Sequence, residues 1–469
     1  MSTPASPLVS FDTLPLPPAV VANLTQLGYV EMTPIQAAAL PIALAGGDLV
    51  AQANTGSGKT VAFALPMLAT LSQRDFKIQA MVLCPTRELA EQVAVETRRL
   101  ARAEENIKVL TIVGGVPARN QLASLERGAH VIVGTPGRVL DLLNRGALDL
   151  SGLKTLVLDE ADRMLAMGFV DDITTIAQAC PPARQTLLFS ATYPDGIAEL
   201  SRQFLRNPQR VTIESESAAN LTQQYWYEVM PRDRLHAVGQ LLRHFQPART
   251  LAFCNTRQQC RDLVEALTAE GIQASALHGE LEQRDRDQVL IRFANRSCSV
   301  LVATDVAARG LDIAQLEAVI NVDVSYEPEV HIHRIGRTGR AGEEGLVMNL
   351  ASREEMARVA QIEALTHAPA QWRTLSELDT GSDKPLIAPM VTLQIVGGRK
   401  EKIRAGDVLG ALTKDHGFAG TLIGKINVTD MSTYVAVDRS IADRALAKLN
   451  AVMVKGRRVR ARRVDAAAP

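Results

Sequence analysis

The chain has 469 residues, 46% of them hydrophobic and 22% charged, with Lys+Arg (51) equal to Asp+Glu (51). This ordinary balance excludes a chain-wide disordered or fibrous polymer and provides for more than one buried core. No apolar run is long enough to span a bilayer, and the first basic residue is Lys59, so the basic start of a secretory signal is missing.

In chain order, residues 1–25 are Pro-rich and read as an N-terminal extension. From Ala45 to Phe189, short apolar runs alternate with helical stretches: Asp48–Ala51, Ala80–Cys84, Val109–Val113, Val131–Val133 and Thr155–Leu158. Runs without polar alternation suit strands buried on both faces, which predicts a parallel α/β domain over 26–213. The polar segment 214–221 reads as a linker. The same rhythm restarts at Thr222, with runs at Thr250–Cys254, Ala274–Leu277, Val300–Ala303 and Ala318–Val322, and predicts a second α/β domain over 222–368. Pro, Gly, Ser and Asp collect over 369–389, a second linker.

Residues 390–465 read β-α-β-β-α-β. The strands are Val391–Ile395, Ile423–Val428, Thr433–Val437 and Val454–Val464, and the helices are Val408–Leu412 and Ala445–Leu449. Ser440 and Asp443 have capping-box spacing before the second helix. That order is ferredoxin-like (RRM-like), an α+β architecture common among small RNA-binding domains. From Met390 onward there are 15 Lys+Arg against 7 Asp+Glu, a net of +8, and the rest of the chain carries −8. A basic tail on an acidic body points to a polyanionic partner. The five cysteines form no C-x-x-C pair, which argues against a disulfide framework and for a reducing, cytoplasmic setting.

Three motifs carry chemistry. Ala53–Thr60 lies between an apolar run and a helical stretch, the setting of a phosphate loop. There Thr55, Gly56, Ser57 and Gly58 would bring backbone N–H groups to the phosphates of ATP. Lys59 would reach the β/γ-phosphates, and Thr60 would reach Mg²⁺. Thr155–Asp162 is an apolar strand ending in carboxylates, with Asp159 a metal ligand and Glu160 placed for a water. His333–Arg340 offers Arg337 or Arg340 as an arginine that stabilises the transferring phosphoryl group. Read singly, the alternatives are a chance Gly/Ser turn, which the strand–loop–helix setting disfavours, an acidic strand end, and a basic loop on phosphate backbone. Their occurrence together in one chain favours the nucleotide reading, with catalytic groups drawn from two domains.

With these motifs in this order, the chain resembles the DEAD-box ATP-dependent RNA helicases over residues 11–350. The resemblance implies two tandem RecA-like parallel-sheet domains, an ATP and Mg²⁺ requirement, and RNA as substrate. Phe11, Gly28-Tyr29 and Thr33–Gln36 resemble the adenine-reading motif, with Gln36 on the base edge and Tyr29 stacked on its face. Pro85-Thr86-Arg87, Gly114-Gly115 and Thr135–Arg138 resemble the RNA-contacting loops of the first domain, giving Pro85, Thr86, Arg87, Gly115, Thr135, Gly137 and Arg138 as contacts. Ser190-Ala191-Thr192 resembles the segment that couples hydrolysis to strand separation through Asp162, and His333 is grouped with it. In the second domain His278-Gly279, Gln283 with Arg286, and Ala303–Asp312 match. The family analogy puts Gly279 and Thr304 on RNA and Asp312 on the ATP ribose.

Loops of Gly, Thr, Pro and Arg hold phosphates and sugars without reading sequence, so specificity is expected from the tail. Lys455–Arg463 holds six basic residues in nine. As a strand it would align Arg458, Arg460 and Arg462 on one face, for RNA or as a solvated edge that resists aggregation. This tail resembles the RNA-binding domain of the DbpA-type helicases in Arg404–Thr413, Ile423–Ile426 and Tyr434–Val437. The resemblance implies recruitment to a hairpin of large-subunit rRNA in pre-ribosomal particles; separately, no membrane partner and a monomeric chain are expected. Tyr434–Val437 lacks the aromatic-rich signature of an ordinary RNA recognition motif, which disfavours base stacking there. The rival expectations are a DNA translocase on the same fold and a non-hydrolysing RNA clamp.

Overall fold

The computed structural model describes residues 9–53, 56–104, 106–193, 195–213, 222–308, 316–339, 345–379, 386–414 and 417–464. Thr55, Asp312, Arg340 and the 214–221 linker lie outside the described residues. The described chain divides into two compact units, 9–213 and 222–464.

In the first unit a two-residue antiparallel pair, β1 (Val9–Ser10) with β2 (Glu31–Met32), precedes a seven-stranded sheet. Its strands are β3 (Leu49–Gln52), β4 (Ala80–Leu83), β5 (Val109–Ile112), β6 (Val131–Gly134), β7 (Thr155–Leu158), β8 (Gln185–Ser190) and β9 (Gln209–Thr212). They lie in the order β5-β6-β4-β7-β8-β3-β9, parallel throughout. Alternate residues feed two cores. Ala51, Val82, Val157 and Phe189 pack on one face with helices Pro34–Leu44, Lys59–Ala69 and Arg87–Leu100. Val50, Met81, Leu156 and Leu188 pack on the other with Pro136–Asn144, Val170–Gln178 and Asp195–Phe204. Burial on both faces is why these strands read as unbroken apolar runs.

The second unit repeats the topology. Its strands β10 (Thr222–Glu228), β11 (Thr250–Cys254), β12 (Ala274–Leu277), β13 (Val300–Thr304), β14 (Ala318–Asn321), β15 (Gly345–Ala351) and β16 (Trp372–Arg373) run β12-β13-β11-β14-β15-β10-β16, again parallel. Strand for strand this is the order of the first sheet. The segment 369–389 is therefore more than a linker: Trp372 and Arg373 pair with Trp226 and Tyr227 as the edge of this sheet.

The unit ends in a four-stranded antiparallel sheet of β17 (Met390–Val396), β18 (Ile423–Val428), β19 (Ser432–Asp438) and β22 (Arg460–Arg463), ordered β18-β19-β17-β22, with helices Ala405–Thr413 and Ala442–Ala451. The expected final strand Val454–Val464 is broken. β20 (Met453–Val454) and β21 (Arg457–Arg458) form a separate hairpin, because Lys455 (φ +51°) and Gly456 (φ +74°) turn the chain back. Arg458 thus belongs to the hairpin, and Arg460 and Arg462 to the sheet. The second helix is preceded by a 3₁₀ turn capped by Asp438, which accepts from Ser440 N–H at 2.9 Å; Ser440 is the donor here, not the expected cap.

Candidate nucleotide and nucleic-acid site

The sequence motifs of the first unit converge at the carboxyl ends of β3, β4, β6, β7 and β8, the edge where open parallel sheets bind ligands. After β3 the chain turns through Gly56 (φ +86°) and Gly58 (φ +95°) into the helix that starts at Lys59. Gly58 has no room for a side chain: a Cβ there would stand 2.5 Å from Gln36 Nε2. Gln36 is held from both ends, donating to Gly58 O (3.1 Å) and accepting from Thr33 N–H (2.9 Å). Tyr29 donates its hydroxyl to Glu96 (2.8 Å), and its pKa is pushed up to about 12, chiefly by burial. Phe11 lies in the core beneath and shows almost no ring face to solvent.

Lys59 is buried and donates to Ala53 O at 2.9 Å, and Thr60 follows it in the first helical turn. Asp159 and Glu160 leave the end of β7, both buried. Burial, then the neighbouring Glu160 charge, raises Asp159 to about 7 against the opposing pull of Lys59 and Arg163. Its Oδ1 is buried and has no partner among the described residues. An orphaned, buried carboxylate oxygen suits a hard divalent cation such as Mg²⁺. The described residues hold no cluster of three or more Asp, Glu, His and Cys, so such a cation would draw most of its ligands from phosphate and water. Glu160 takes a left-handed backbone (φ +52°), a strained choice typical of functional sites. Asp162, one residue beyond Ala161, accepts from Thr192 in the segment that follows Ser190 at the end of β8.

Along the same edge, Thr86 caps helix Arg87–Leu100 by accepting from Leu89 N–H (3.3 Å). The Arg87 guanidinium lies across Gly115 in the space a Cβ would fill. Arg138 donates to Val116 O (3.1 and 3.2 Å) and to Gln121 (3.2 Å). Thr135 and Gly137 open the helix Pro136–Asn144, and Pro85 follows β4. The candidate RNA contacts of this unit therefore line one edge.

In the second unit Thr304 closes β13, and Gly279, after β12, has open space where a side chain would stand. His333 sits in the last turn of helix Pro328–Ile335 and Arg337 just beyond it, buried. Sequence reasoning missed Arg334, the largest fully buried side chain among the described residues. It donates to both oxygens of Asp305 (2.7 and 2.7 Å), to Asn255 (2.9 Å), to Asn321 (3.3 Å) and to Asp323 O (2.7 Å). Its burial amid acceptors contributed by separate strands has no local sequence signal.

In the C-terminal domain, Arg460 and Arg462 are exposed, and Ala461 between them joins the core. Arg462 donates to Gln394 on β17 (2.9 Å), and Gln394 donates to Tyr434 OH (3.2 Å). Farther along the same face Thr392 is fully buried against Asn295 and Ser297 of the preceding domain. That half of the sheet face is closed to stacking bases.

The chain has close counterparts among known proteins. Residues 33–200 match the DEAD/DEAH box helicase family, 233–342 the helicase conserved C-terminal domain, and 392–463 the DbpA RNA binding domain. The chain is 50% identical over 456 residues to the ATP-dependent RNA helicase DbpA of Escherichia coli (strain K12), covering 97% of this chain and 99% of that protein. It is 41% identical over 360 residues to the DEAD-box ATP-dependent RNA helicase CshA of Geobacillus kaustophilus, covering 76% and 77%. Among solved structures, S. cerevisiae Dbp5 bound to RNA and ADP BeF3 aligns with a TM-score of 0.73 at 30% identity, over 78% of this chain and 96% of that one. Among the described residues no helix is long and apolar enough to cross a membrane.

Proposed function

As a member of the DEAD-box ATP-dependent RNA helicases that carries a DbpA RNA-binding domain, the chain is one for which we propose ATP hydrolysis by the motif residues of both helicase regions and recruitment to structured rRNA. The observation that supports the site is the burial of Lys59, Asp159 and Glu160 together at one sheet edge, with Asp159 Oδ1 unpartnered among the described residues. Gln36 and Tyr29 receive the adenine and Asp312 the ribose. Thr55 to Gly58 present backbone N–H groups to the phosphates, and Lys59 neutralises their charge. Asp159 and Thr60 would hold Mg²⁺, which would supply neutralising charge at the phosphates. Glu160 orients the attacking water and accepts its proton. Arg337 and Arg340, from the sequence motif His333–Arg340, stabilise the charge that develops on the γ-phosphoryl group.

Because these groups are divided between residues 26–213 and 222–368, hydrolysis requires both, and bound RNA stimulates it by engaging Pro85–Arg87, Gly115, Thr135–Arg138, Gly279 and Thr304. The domain at 390–465 carries net positive charge and the DbpA match, and it takes a hairpin of large-subunit rRNA in a pre-ribosomal particle. Replacing Glu160→Gln tests the core of this reading. Turnover is expected to fall by at least about 10²-fold while nucleotide-dependent RNA binding persists. An unchanged ATPase rate would remove Glu160 from the site.

A further inference from the structure

A further buried cation stands beside the acidic strand end. Arg163 lies in the first turn of helix Ala161–Ala166, and its side chain folds back so that Nη1 donates to Glu160 Oε2 at 2.8 Å. Both side chains are buried, Arg163 at 5% and Glu160 at 4% exposure, which separates this pair from the surface i,i+3 pairs that contribute little. Among the described residues no other side chain hydrogen-bonds the Glu160 carboxylate. The backbone N–H of Arg163 donates to Asp162 Oδ1 (3.0 Å), so the residue touches both carboxylates that flank Ala161. Glu160 is the N-cap of this helix and has a left-handed backbone (φ +52°).

We propose that Arg163 is the positioning residue of the hydrolytic base. Its guanidinium fixes one carboxylate oxygen of Glu160 and leaves the second to receive the water. An arginine suits this buried pair better than a lysine, because the guanidinium stays charged when buried and is less strongly hydrated than an ammonium. Lys59 and Arg163 are the two cations whose charge acts on the neighbouring Asp159, and on the proposed reading Lys59 engages phosphate during hydrolysis. Arg163 therefore supplies the positive charge that stays with the acids when Lys59 is engaged. The inference rests on the reading of Glu160 as the group that activates water. A residue that merely held the helix would change stability and nucleotide affinity along with rate; a positioning residue changes the rate alone.

The test is a cycle of Arg163→Lys and Glu160→Gln, singly and combined, with Arg163→Gln as a second variant. Single-turnover ATP hydrolysis at saturating RNA, ATP affinity and thermal melting are measured for each. Arg163→Lys is expected to keep ATP affinity within about threefold and to lower the rate about 10- to 100-fold, with Arg163→Gln lower still. In the Glu160→Gln background the Arg163→Lys change should shift the rate by less than about threefold, because both substitutions act through one carboxylate. Effects that multiply would overturn the inference, and so would rates equal to wild type in the Arg163 variants. If Arg163→Gln does not fold, the lysine cycle decides alone. A wild-type protein without RNA-stimulated hydrolysis would instead overturn the reading of the site.

Discussion

Thr192 bonds Asp162 twice, its backbone N–H at 3.0 Å and its hydroxyl at 2.8 Å, both to Oδ2. The other oxygen of Asp162 accepts from Arg163 N–H at 3.0 Å, next to Glu160. The segment after β8 is thereby tied to the acidic strand end that carries Glu160.

Removing one of those ties should separate hydrolysis from its mechanical use. A hydrogen bond to a charged partner contributes about 1.5–3 kcal/mol, enough to loosen the 190–192 segment without disturbing Asp159 or Glu160. Thr192→Val keeps the shape and the backbone bond and loses the hydroxyl. The expected result is an RNA-stimulated ATPase rate within about threefold of wild type and a strand-displacement rate reduced about tenfold or more. Equal losses in the two assays would show that the segment serves hydrolysis directly.

Gly115 is needed for space as well as for its backbone. Its φ is +69°, in the left-handed region, and any Cβ would strike the Arg87 guanidinium. Gly115→Ala therefore displaces a candidate phosphate contact without touching the nucleotide loop. RNA affinity should weaken with ATP affinity unchanged, and the salt dependence of RNA binding should become shallower, because one cation leaves the interface. Titration of single-stranded RNA at two ionic strengths measures both.

His331 gives the second unit a dependence on pH. Burial, with the nearby Arg334 charge, lowers its pKa from the ordinary 6.5 to about 3, and its Nδ1 has no partner among the described residues. The unfolded chain binds this proton below about 6.5 and the folded unit does not until about 3. Its contribution is thus fully present above 6.5 and is lost as pH falls through that window, at up to about 1.4 kcal/mol per pH unit. The His331 ring stacks on Trp226 at 5.5 Å, and both tryptophans of the chain, Trp226 and Trp372, lie in this unit. Tryptophan fluorescence therefore follows its unfolding alone. Between pH 7 and 5 the denaturant midpoint of wild type should fall further than that of His331→Gln. Parallel falls would assign the effect to other groups.

The parts of the fold that were legible in the sequence are those where composition and environment coincide. β4, β6, β7 and β13 are buried on both faces and read as apolar runs. β9 is mostly exposed, and β16 is two residues inside a Pro- and Ser-rich stretch; neither carries a pattern that differs from loop. The break between Arg458 and Arg460 was hidden because six basic residues mask the turn at Lys455-Gly456. Arg163 and Arg334 looked like ordinary basic residues beside known motifs. Their significance depends on acceptors that the fold brings to them, and no spacing within the chain encodes that.

The arginines of the tail make the final prediction. Arg460 and Arg462 stand exposed on one strand with Ala461 packed inward, and Arg458 is exposed on the adjoining hairpin. Thr392 and Ala436 are buried, so part of the sheet face cannot offer a stacking platform, and binding must rest more heavily on charge. Each phosphate that the protein no longer neutralises lowers the slope of log affinity against log salt by about 0.7–0.9. Replacing Arg458, Arg460 and Arg462 with alanine should weaken binding of an rRNA hairpin and reduce that slope by about 2–3. The maximal ATPase rate at saturating unstructured RNA should stay within about twofold, because these side chains lie outside the nucleotide motifs. If hairpin affinity and slope both match wild type, the charged edge serves only to keep the strand solvated, and the hairpin is held by another surface of the domain.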